Sequence, residues 1–312
     1  MRTGAGVGVG VGDVERMVSW VVRRYGKFLL AGALSTFLAL NLALHAGTGL
    51  AMFCEQECID RLMSTPLHSI DKDAVLYIRK HWIDAPPAPP ASFKSTVPLD
   101  KPPWYSLGSW GEAYNFVNDY FSKYEKPGTF MELGAGDGEF MSLTLWVERV
   151  KGFKGLLVEP NPRVYDRLRA LGRASHSVRA CATPEQGHRK EVLWLRQIPD
   201  NLPPLLTRMQ AGSNRLYQYV SKEDRELGET VGIQCFNAGA LALAGLNTNR
   251  VDLLTISTHG GEMEILASIP RAVQFREERD DLFNVAASRG LYQVFEKGNI
   301  HILVPDNEVK VV

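Results

Sequence analysis

Residues able to take part in chemistry concentrate near the middle of this 312-residue chain. An apolar run, Thr129 to Leu133, leads into three glycines at two-residue steps, Gly134, Gly136 and Gly138. A second apolar run follows and ends on Glu159. Glycines in a turn let the backbone approach a ligand closely, and an acid after the next strand can accept both hydroxyls of a ribose. The pattern predicts the βαβ unit of a nucleotide-binding α/β sheet.

The chemistry of this turn favours a cation over a phosphate. Its spacing lacks the G-x-G-x-x-G of dinucleotide-binding turns. Glu132 and Asp137 flank the glycines, and their negative charges would repel a pyrophosphate but suit a cationic ligand carrying an amino group. The alternative is a glycine-rich turn of some other α/β fold with no ligand.

Composition narrows the class of protein. The net charge is zero and the pI is about 7.1, so we expect no nucleic-acid partner. A hydrophobic fraction of 45% supplies a sizeable core for one large or two small domains.

The N-terminal quarter indicates a membrane protein. Residues 1–27 form a cytosolic tail whose Gly/Val-rich start we expect to be disordered, and residues 28–53 contain no charged side chain. That run can span a bilayer as a helix. Basic residues precede it and acids follow it, which predicts a type II signal anchor with the C-terminal domain in the lumen of the endoplasmic reticulum or Golgi. A signal peptide cleaved near Ala51 is the alternative.

The remainder divides at a proline-rich stretch. Residues 54–84 form a juxtamembrane segment with an amphipathic helix between Ile70 and Trp82, and residues 85–103 form a stiff linker. A domain follows over 104–312.

Within it we predict helices at 110–124, from Phe140 to Val150, at 162–171, 238–244, 263–269 and 276–288. We predict strands at 177–182, 190–195, 232–236 and 251–257, a surface excursion at 196–230, and a C-terminal hairpin of 292–296 with 300–304.

Four segments together carry a family resemblance: LLVEPNPRVYDRL, the strand of Cys181, QCFNAGALALAG and VDLLTISTHGGEMEILASIP. They resemble the FkbM-type S-adenosylmethionine-dependent methyltransferase domain, and most closely its arthropod Star-like members, over roughly residues 105 to 305. The resemblance implies a Rossmann-like class I methyltransferase sheet with helices on both faces, preceded by one transmembrane helix. It implies S-adenosylmethionine as cofactor, bound by Glu132, Gly134, Gly136, Asp137, Gly138 and Glu159. Star-like proteins assist trafficking of epidermal growth factor receptor ligands, which implies a secretory cargo such as a growth-factor precursor.

The chain departs from the family on the acceptor side. The fourth-strand motif of the family reads like S-L-D-V-E-G-A-E, whereas Ser257 and His259 stand here in place of the two carboxylates. The apolar strand expected after Pro270 is also short. His259 and Glu262 remain as catalytic candidates, His259 as a general base. The alternatives are a packed or solvated histidine and a glutamate that caps a helix.

The four cysteines separate into two pairs. The resemblance implies a disulfide between Cys181 and Cys235; two small buried thiols are the alternative. Cys54 and Cys58 lie four residues apart, on one face of a helix, and could join two chains in a homodimer. None of the four has a spacing typical of zinc, so we predict no metal site.

These observations favour a lumenal methyltransferase-like protein with weakened catalysis, acting by binding in secretory trafficking. The alternative is an active S-adenosylmethionine-dependent O-methyltransferase. A weaker third alternative is an extracellular enzyme that binds a nucleotide or sugar on the same fold.

Overall fold

The structure is a computed structural model, and it divides the chain into two compact units, Met1–Arg61 and Leu62–Val312. It describes residues 15–16, 19–20, 23–24, 35–36, 72–88, 93–95, 97–185, 187–269, 274–275, 291–297 and 300–305, with the side chains described no further than residue 269. The sheets, the helices and the candidate site below all belong to the second unit.

The predicted signal anchor, 28–53, falls outside the described residues except for Ser35 and Thr36. Cys54, Cys58 and the predicted helix 276–288 lie outside them as well. Within the described ranges, no helix is long and apolar enough to cross a membrane.

Helices and strands are interspersed along the described part of the chain. The helices are α1 Lys72–His81, α2 Trp110–Ser122, α3 Leu145–Lys151, α4 Pro162–Leu171, α5 Pro204–Gly212, α6 Ala238–Leu246 and α7 Glu262–Ser268. The first strands are β1 Ile83–Asp84, β2 Thr129–Leu133, β3 Lys154–Val158, β4 His176–Val178, β5 Cys181–Ala182 and β6 Arg189–Arg196. The later ones are β7 Arg215–Leu216, β8 Gly228–Phe236, β9 Arg250–Val251, β10 Leu253–Ile256, β11 Gln274–Phe275, β12 Leu291–Lys297 and β13 Ile300–Pro305. The protein is thus an α/β protein with mixed sheets, consistent with a Rossmann-like fold.

The main sheet has the order β1-β4-β3-β2-β10. Strands β4, β3, β2 and β10 run parallel, and β1 adds antiparallel to β4 at the edge. The predicted limits of β2 and the predicted opening of α4 by Asn161 are confirmed, because the Asn161 side chain accepts hydrogen bonds from the first backbone N–H groups of α4. The predicted strand 251–257 is present but broken at Asp252 into β9 and β10.

Helices cover both faces of this sheet. On one face Phe130 and Leu157 pack with Val117 and Phe121 of α2 and with Val147 of α3. On the other face α6 packs on β3 and β4, and α1 packs on α6. The Phe130 ring lies directly over Gly155, where an added Cβ would come within 2.0 Å of it. The apolar runs therefore form strands that are buried from both sides.

A second, mixed sheet has the order β5-β8-β6-β7. The strand predicted over 177–182 is wrong as a single element, because its halves β4 and β5 belong to different sheets. Cys181 of β5 and Cys235 of β8 are register partners in this sheet and form a disulfide, with Cα atoms 4.4 Å apart. That is the pairing the family resemblance implies.

The C-terminal strands β12 and β13 pair antiparallel, which confirms the predicted hairpin. Strand β11, which pairs parallel with β9, has only two residues. The described part of the strand expected after Pro270 is therefore short.

Residues 72–84 pack against the domain. Strand β1 extends the main sheet, and Arg79 of α1 donates to the carbonyls of Ala244 and Leu243 at 3.0 and 2.6 Å. The Tyr165 hydroxyl donates to Asp84 at 2.5 Å. The predicted division between the juxtamembrane segment 54–84, the linker 85–103 and a domain starting at 104 misses these contacts, because their partners lie far along the chain.

Candidate functional site

The glycine turn joins β2 to the edge of a cavity. Gly134 has φ of +80°, and a Cβ there would come within 2.2 Å of the Ser257 carbonyl oxygen. Gly136 has φ of +58° and faces open space. Glycine at position 134 therefore allows β2 and the end of β10 to approach each other, while glycine at 136 leaves room above the turn.

The helix predicted to begin near Phe140 begins only at Leu145. Asp137 Oδ1 accepts hydrogen bonds from the backbone N–H groups of Glu139 and Phe140 at 3.1 and 2.8 Å, and Met141 has φ of +57°. A side-chain-capped turn with a left-handed residue competes with a helix. Among the described residues, no helix N-terminus follows the glycine turn directly, so the helix-dipole site that holds a pyrophosphate in dinucleotide-binding folds is lacking here.

Glu159 follows β3 and contacts the glycine turn. Its Oε2 accepts a hydrogen bond from Gly136 N and its Oε1 one from Asn161 N, each at 2.8 Å. The side chain is buried but lines the cavity. Burial raises the pKa of Glu159 to about 7, and the backbone N–H groups offset part of that rise. Each carboxylate oxygen keeps a lone pair for a ligand hydroxyl.

Glu132 is a member of a buried polar network. Its Oε2 accepts hydrogen bonds from Ser142 Oγ at 2.9 Å and Thr144 Oγ1 at 2.6 Å. Arg173 donates to Thr144 Oγ1 at 3.0 Å and forms a buried ion pair with Glu148 at 2.9 Å. Burial raises the pKa of Glu132. The network fixes the loop after the glycine turn, a structural role in addition to the predicted cofactor contact.

Arg208 of α5 binds the acids of the turn from across the cavity. Its Nε donates to Asp137 Oδ2 at 2.8 Å, and its Nη2 donates to Glu139 Oε2 at 2.9 Å. The guanidinium also lies over the Trp104 ring, 4.9 Å from its centroid. The expected repulsion of a phosphate by Asp137 is therefore weaker than the sequence suggests, because Arg208 compensates that charge. The stretch 196–230, predicted as a surface excursion, supplies this wall of the site.

The cavity itself has a volume of about 570 Å³, within the usual range for small-molecule sites. The glycine turn, Glu159 and the end of β10 line it, together with parts of α2, α5 and α7. Thr255 also lines it, and Thr255 Oγ1 is buried without a hydrogen-bond partner among the described residues. A bound ligand can satisfy that hydroxyl.

A tight turn carries His259 beyond the end of β10. His259 has φ of +56°, and Gly260 and Gly261 follow with φ of +140° and +82°. The Tyr219 side chain packs against both glycines, where an added Cβ would come within 2.6 Å of it. A left-handed non-glycine residue is unfavourable unless its surroundings hold it there, and such residues are frequent at functional sites.

Glu262 holds this turn together. Its Oε1 accepts hydrogen bonds from Thr258 N at 3.1 Å, Thr258 Oγ1 at 3.1 Å and Gly260 N at 2.9 Å. These bonds hold the turn that carries His259, and the predicted catalytic role of Glu262 stays a prediction. His259 keeps an exposed edge at the cavity, while partial burial and the nearby Arg215 guanidinium lower its pKa.

The structure brings most predicted site residues to one cavity. Those that line it are Glu132, Gly134, Gly136, Asp137, Glu159, Cys181, His259 and Glu262. Gly138 packs against Leu168 instead, and Cys235 is buried behind Cys181. Sequence reasoning missed Arg208 and Arg215; basic residues in a polar excursion gave no signal that they face a site. Within the described part of the chain, no cluster of His, Cys, Asp and Glu is arranged to hold a metal ion.

Comparisons of the chain with protein-family models, with characterised proteins and with solved structures found no match. The fold and the geometry define an α/β protein with a cavity at the carboxyl ends of its parallel strands.

Proposed function

We propose that this chain is a methyltransferase-like protein that binds S-adenosylmethionine in the cavity beside the glycine turn. The observation that carries the proposal is the position of Glu159. Its carboxylate ends β3, contacts Gly136 and lines the cavity, which is the arrangement suited to the two hydroxyls of a ribose. The parallel strand order β4-β3-β2-β10 also fits the class I methyltransferase sheet that the resemblance implies.

The residues present fit the cofactor chemically. Gly136 leaves open space where a Cβ would intrude, and Glu159 would hold the ribose hydroxyls. Thr255 Oγ1 is a buried hydroxyl without a partner among the described residues. When bound, the cofactor would supply an electrophilic methyl group on a sulfonium.

The acceptor side supports binding with little turnover. Ser257 and His259 stand at the end of β10 where the related family has acids, and Glu262 is engaged by the turn. Proton abstraction from an acceptor hydroxyl therefore depends on His259 alone among these residues.

The resemblance further supports a membrane-anchored protein of the secretory pathway, with a lumenal domain that assists a cargo such as a growth-factor precursor.

Calorimetric titration of the full chain with S-adenosylmethionine and S-adenosylhomocysteine tests this function. We expect both to bind. Above the Glu159 pKa of about 7, where the carboxylate is ionised, we expect Glu159→Gln to weaken binding roughly 10- to 100-fold, because the loss of a charged acceptor costs about 1.5–3 kcal/mol. Glu229→Gln is the matched control, since Glu229 is an exposed carboxylate paired with Arg163. Failure of wild-type protein to bind either compound would refute the proposal.

An active O-methyltransferase is the second candidate, and the geometry of His259 favours it. A lowered pKa keeps the imidazole neutral at neutral pH, so its free nitrogen can take the proton of a hydroxyl. Proximity to the methyl donor would supply most of the remaining rate. Methyl transfer that is lost in His259→Ala, with cofactor affinity unchanged, would establish this activity.

A further inference from the structure

One arginine that lines the cavity has a buried donor atom without a partner among the described residues. Arg215 begins β7 and lines the cavity, and its Nε atom is buried without a hydrogen-bond partner among the described residues. No carboxylate of the described residues lies within ion-pair distance of it. A buried donor that stays unpaired costs about 1–3 kcal/mol, so such a group indicates a ligand that completes it.

Two other described arginines near the cavity are held by carboxylates, and a third, Arg167, lines the cavity but is exposed to solvent. Arg173 pairs with Glu148, and Arg208 pairs with Asp137 and Glu139. Arg215 therefore differs from these three arginines, because it has a buried donor without a partner among the described residues.

The groups around Arg215 do not neutralise it. His259 faces it from the turn after β10, and the two interact as like charges when the imidazole is protonated. Glu262 of α7 is an acid whose charge acts on His259, but its Oε1 accepts three hydrogen bonds from the turn. The carbonyl of Gly212, at the end of α5, accepts a hydrogen bond from His259.

We propose that Arg215 binds the anionic group of the molecule that occupies the acceptor end of the cavity, a carboxylate carried on an apolar body. A guanidinium matches a carboxylate through two parallel hydrogen bonds. The lining beside it includes apolar side chains such as Met263 and Leu254, which suit an apolar body. The inference that this molecule is an acceptor rests on the proposed function; the anion site itself does not.

Benzoate and benzamide are suitable probes, because they share a shape and differ in charge. Each is titrated into the full chain by calorimetry, with and without S-adenosylhomocysteine. We expect benzoate to bind more tightly than benzamide. Arg215→Ala should weaken benzoate roughly 10- to 100-fold and leave benzamide unchanged, and Arg215→Lys should restore part of the affinity. Arg225→Ala is the control, because Arg225 is exposed, lies outside the cavity and packs over Tyr217.

A second readout is the titration of His259 followed by NMR. Benzoate at Arg215 should raise the pKa of His259, since it cancels a neighbouring positive charge. The inference is overturned if benzoate binds no better than benzamide, or if Arg215→Ala leaves benzoate binding unchanged. If the wild-type protein binds benzoate but does not bind S-adenosylhomocysteine, the cofactor proposal is refuted and the anion site is still supported.

Discussion

Arg208 Nη2 lies 2.7 Å from Asp137 Oδ2, a contact that joins α5 to the glycine turn across 71 residues of chain. Both side chains are largely buried, and the same guanidinium also binds Glu139. The charge balance beside the glycine turn therefore depends on a residue outside the βαβ unit.

Replacing Arg208 should change the preference between cationic and neutral ligands. Arg208→Ala leaves Asp137 and Glu139 uncompensated, so we expect the affinity for S-adenosylmethionine to rise relative to that for S-adenosylhomocysteine, whose sulfur is uncharged. Calorimetry with both ligands measures the ratio, and added salt should reduce the effect. An unchanged ratio would show that neither carboxylate acts on the sulfur position.

Stability should depend on pH through Glu159. Its folded-state pKa of about 7 lies above the ordinary value of 4.5, so the folded state holds a proton that the unfolded state releases. The free energy of unfolding should therefore fall as pH rises between those values, by on the order of 3 kcal/mol, and level off above them. Chemical denaturation of wild type and Glu159→Gln across this pH range isolates the contribution of Glu159 to stability. The contribution of Glu132 is present in both proteins and cancels in the difference. If the free energies of unfolding of the two proteins change equally with pH, the raised pKa of Glu159 is contradicted.

The buried ion pair of Arg173 and Glu148 should be far more sensitive than an exposed one. Arg173→Met leaves the carboxylate of Glu148 buried without its partner, and we expect a loss of about 3–5 kcal/mol in the free energy of unfolding. Adding Glu148→Leu should recover part of that loss. Arg163→Met removes an exposed ion pair with Glu229 and should cost less than about 1 kcal/mol. Equal losses from the two single variants would contradict the burial of the network.

A methyl group at position 155 should disturb the centre of the main sheet. Gly155→Ala places a Cβ against the Phe130 ring, and we expect a destabilisation of about 1–3 kcal/mol by overpacking. Gly232→Ala is the control, since an added Cβ there meets no atom within 4 Å. Thermal unfolding of both variants provides the comparison. A neutral Gly155→Ala would mean that the ring can move aside.

Local signals predicted the elements whose determinants are adjacent in the chain. The apolar run gave β2 within its observed limits, and Asn161 with Pro162 marked the start of α4. The helix after the glycine turn begins later than its periodicity suggests, because Asp137 and Trp110 bind the intervening backbone. Periodicity cannot register such side-chain contacts.

The candidate site was predictable on its cofactor side and much less so on the other. Glycine spacing and a terminal acid have a recognisable pattern around Glu159. Arg208 and Arg215 lie in a polar stretch and reach the cavity only through tertiary packing. The hydrogen bonds that assign Glu262 to the turn are likewise invisible in a list of residue types.

Strand β1 pairs with β4 and so covers one edge of the parallel sheet, which has a consequence for any shortened form of the protein. A fragment that starts at the proline-rich stretch lacks α1 and β1. It would expose the backbone N–H and C=O groups of β4 and the surface of α6 that α1 covers. Unpaired strands of this kind recruit other chains. Such a fragment should self-associate even with the glycine turn and Glu159 intact, whereas a fragment that retains residue 72 onward keeps β4 paired with β1.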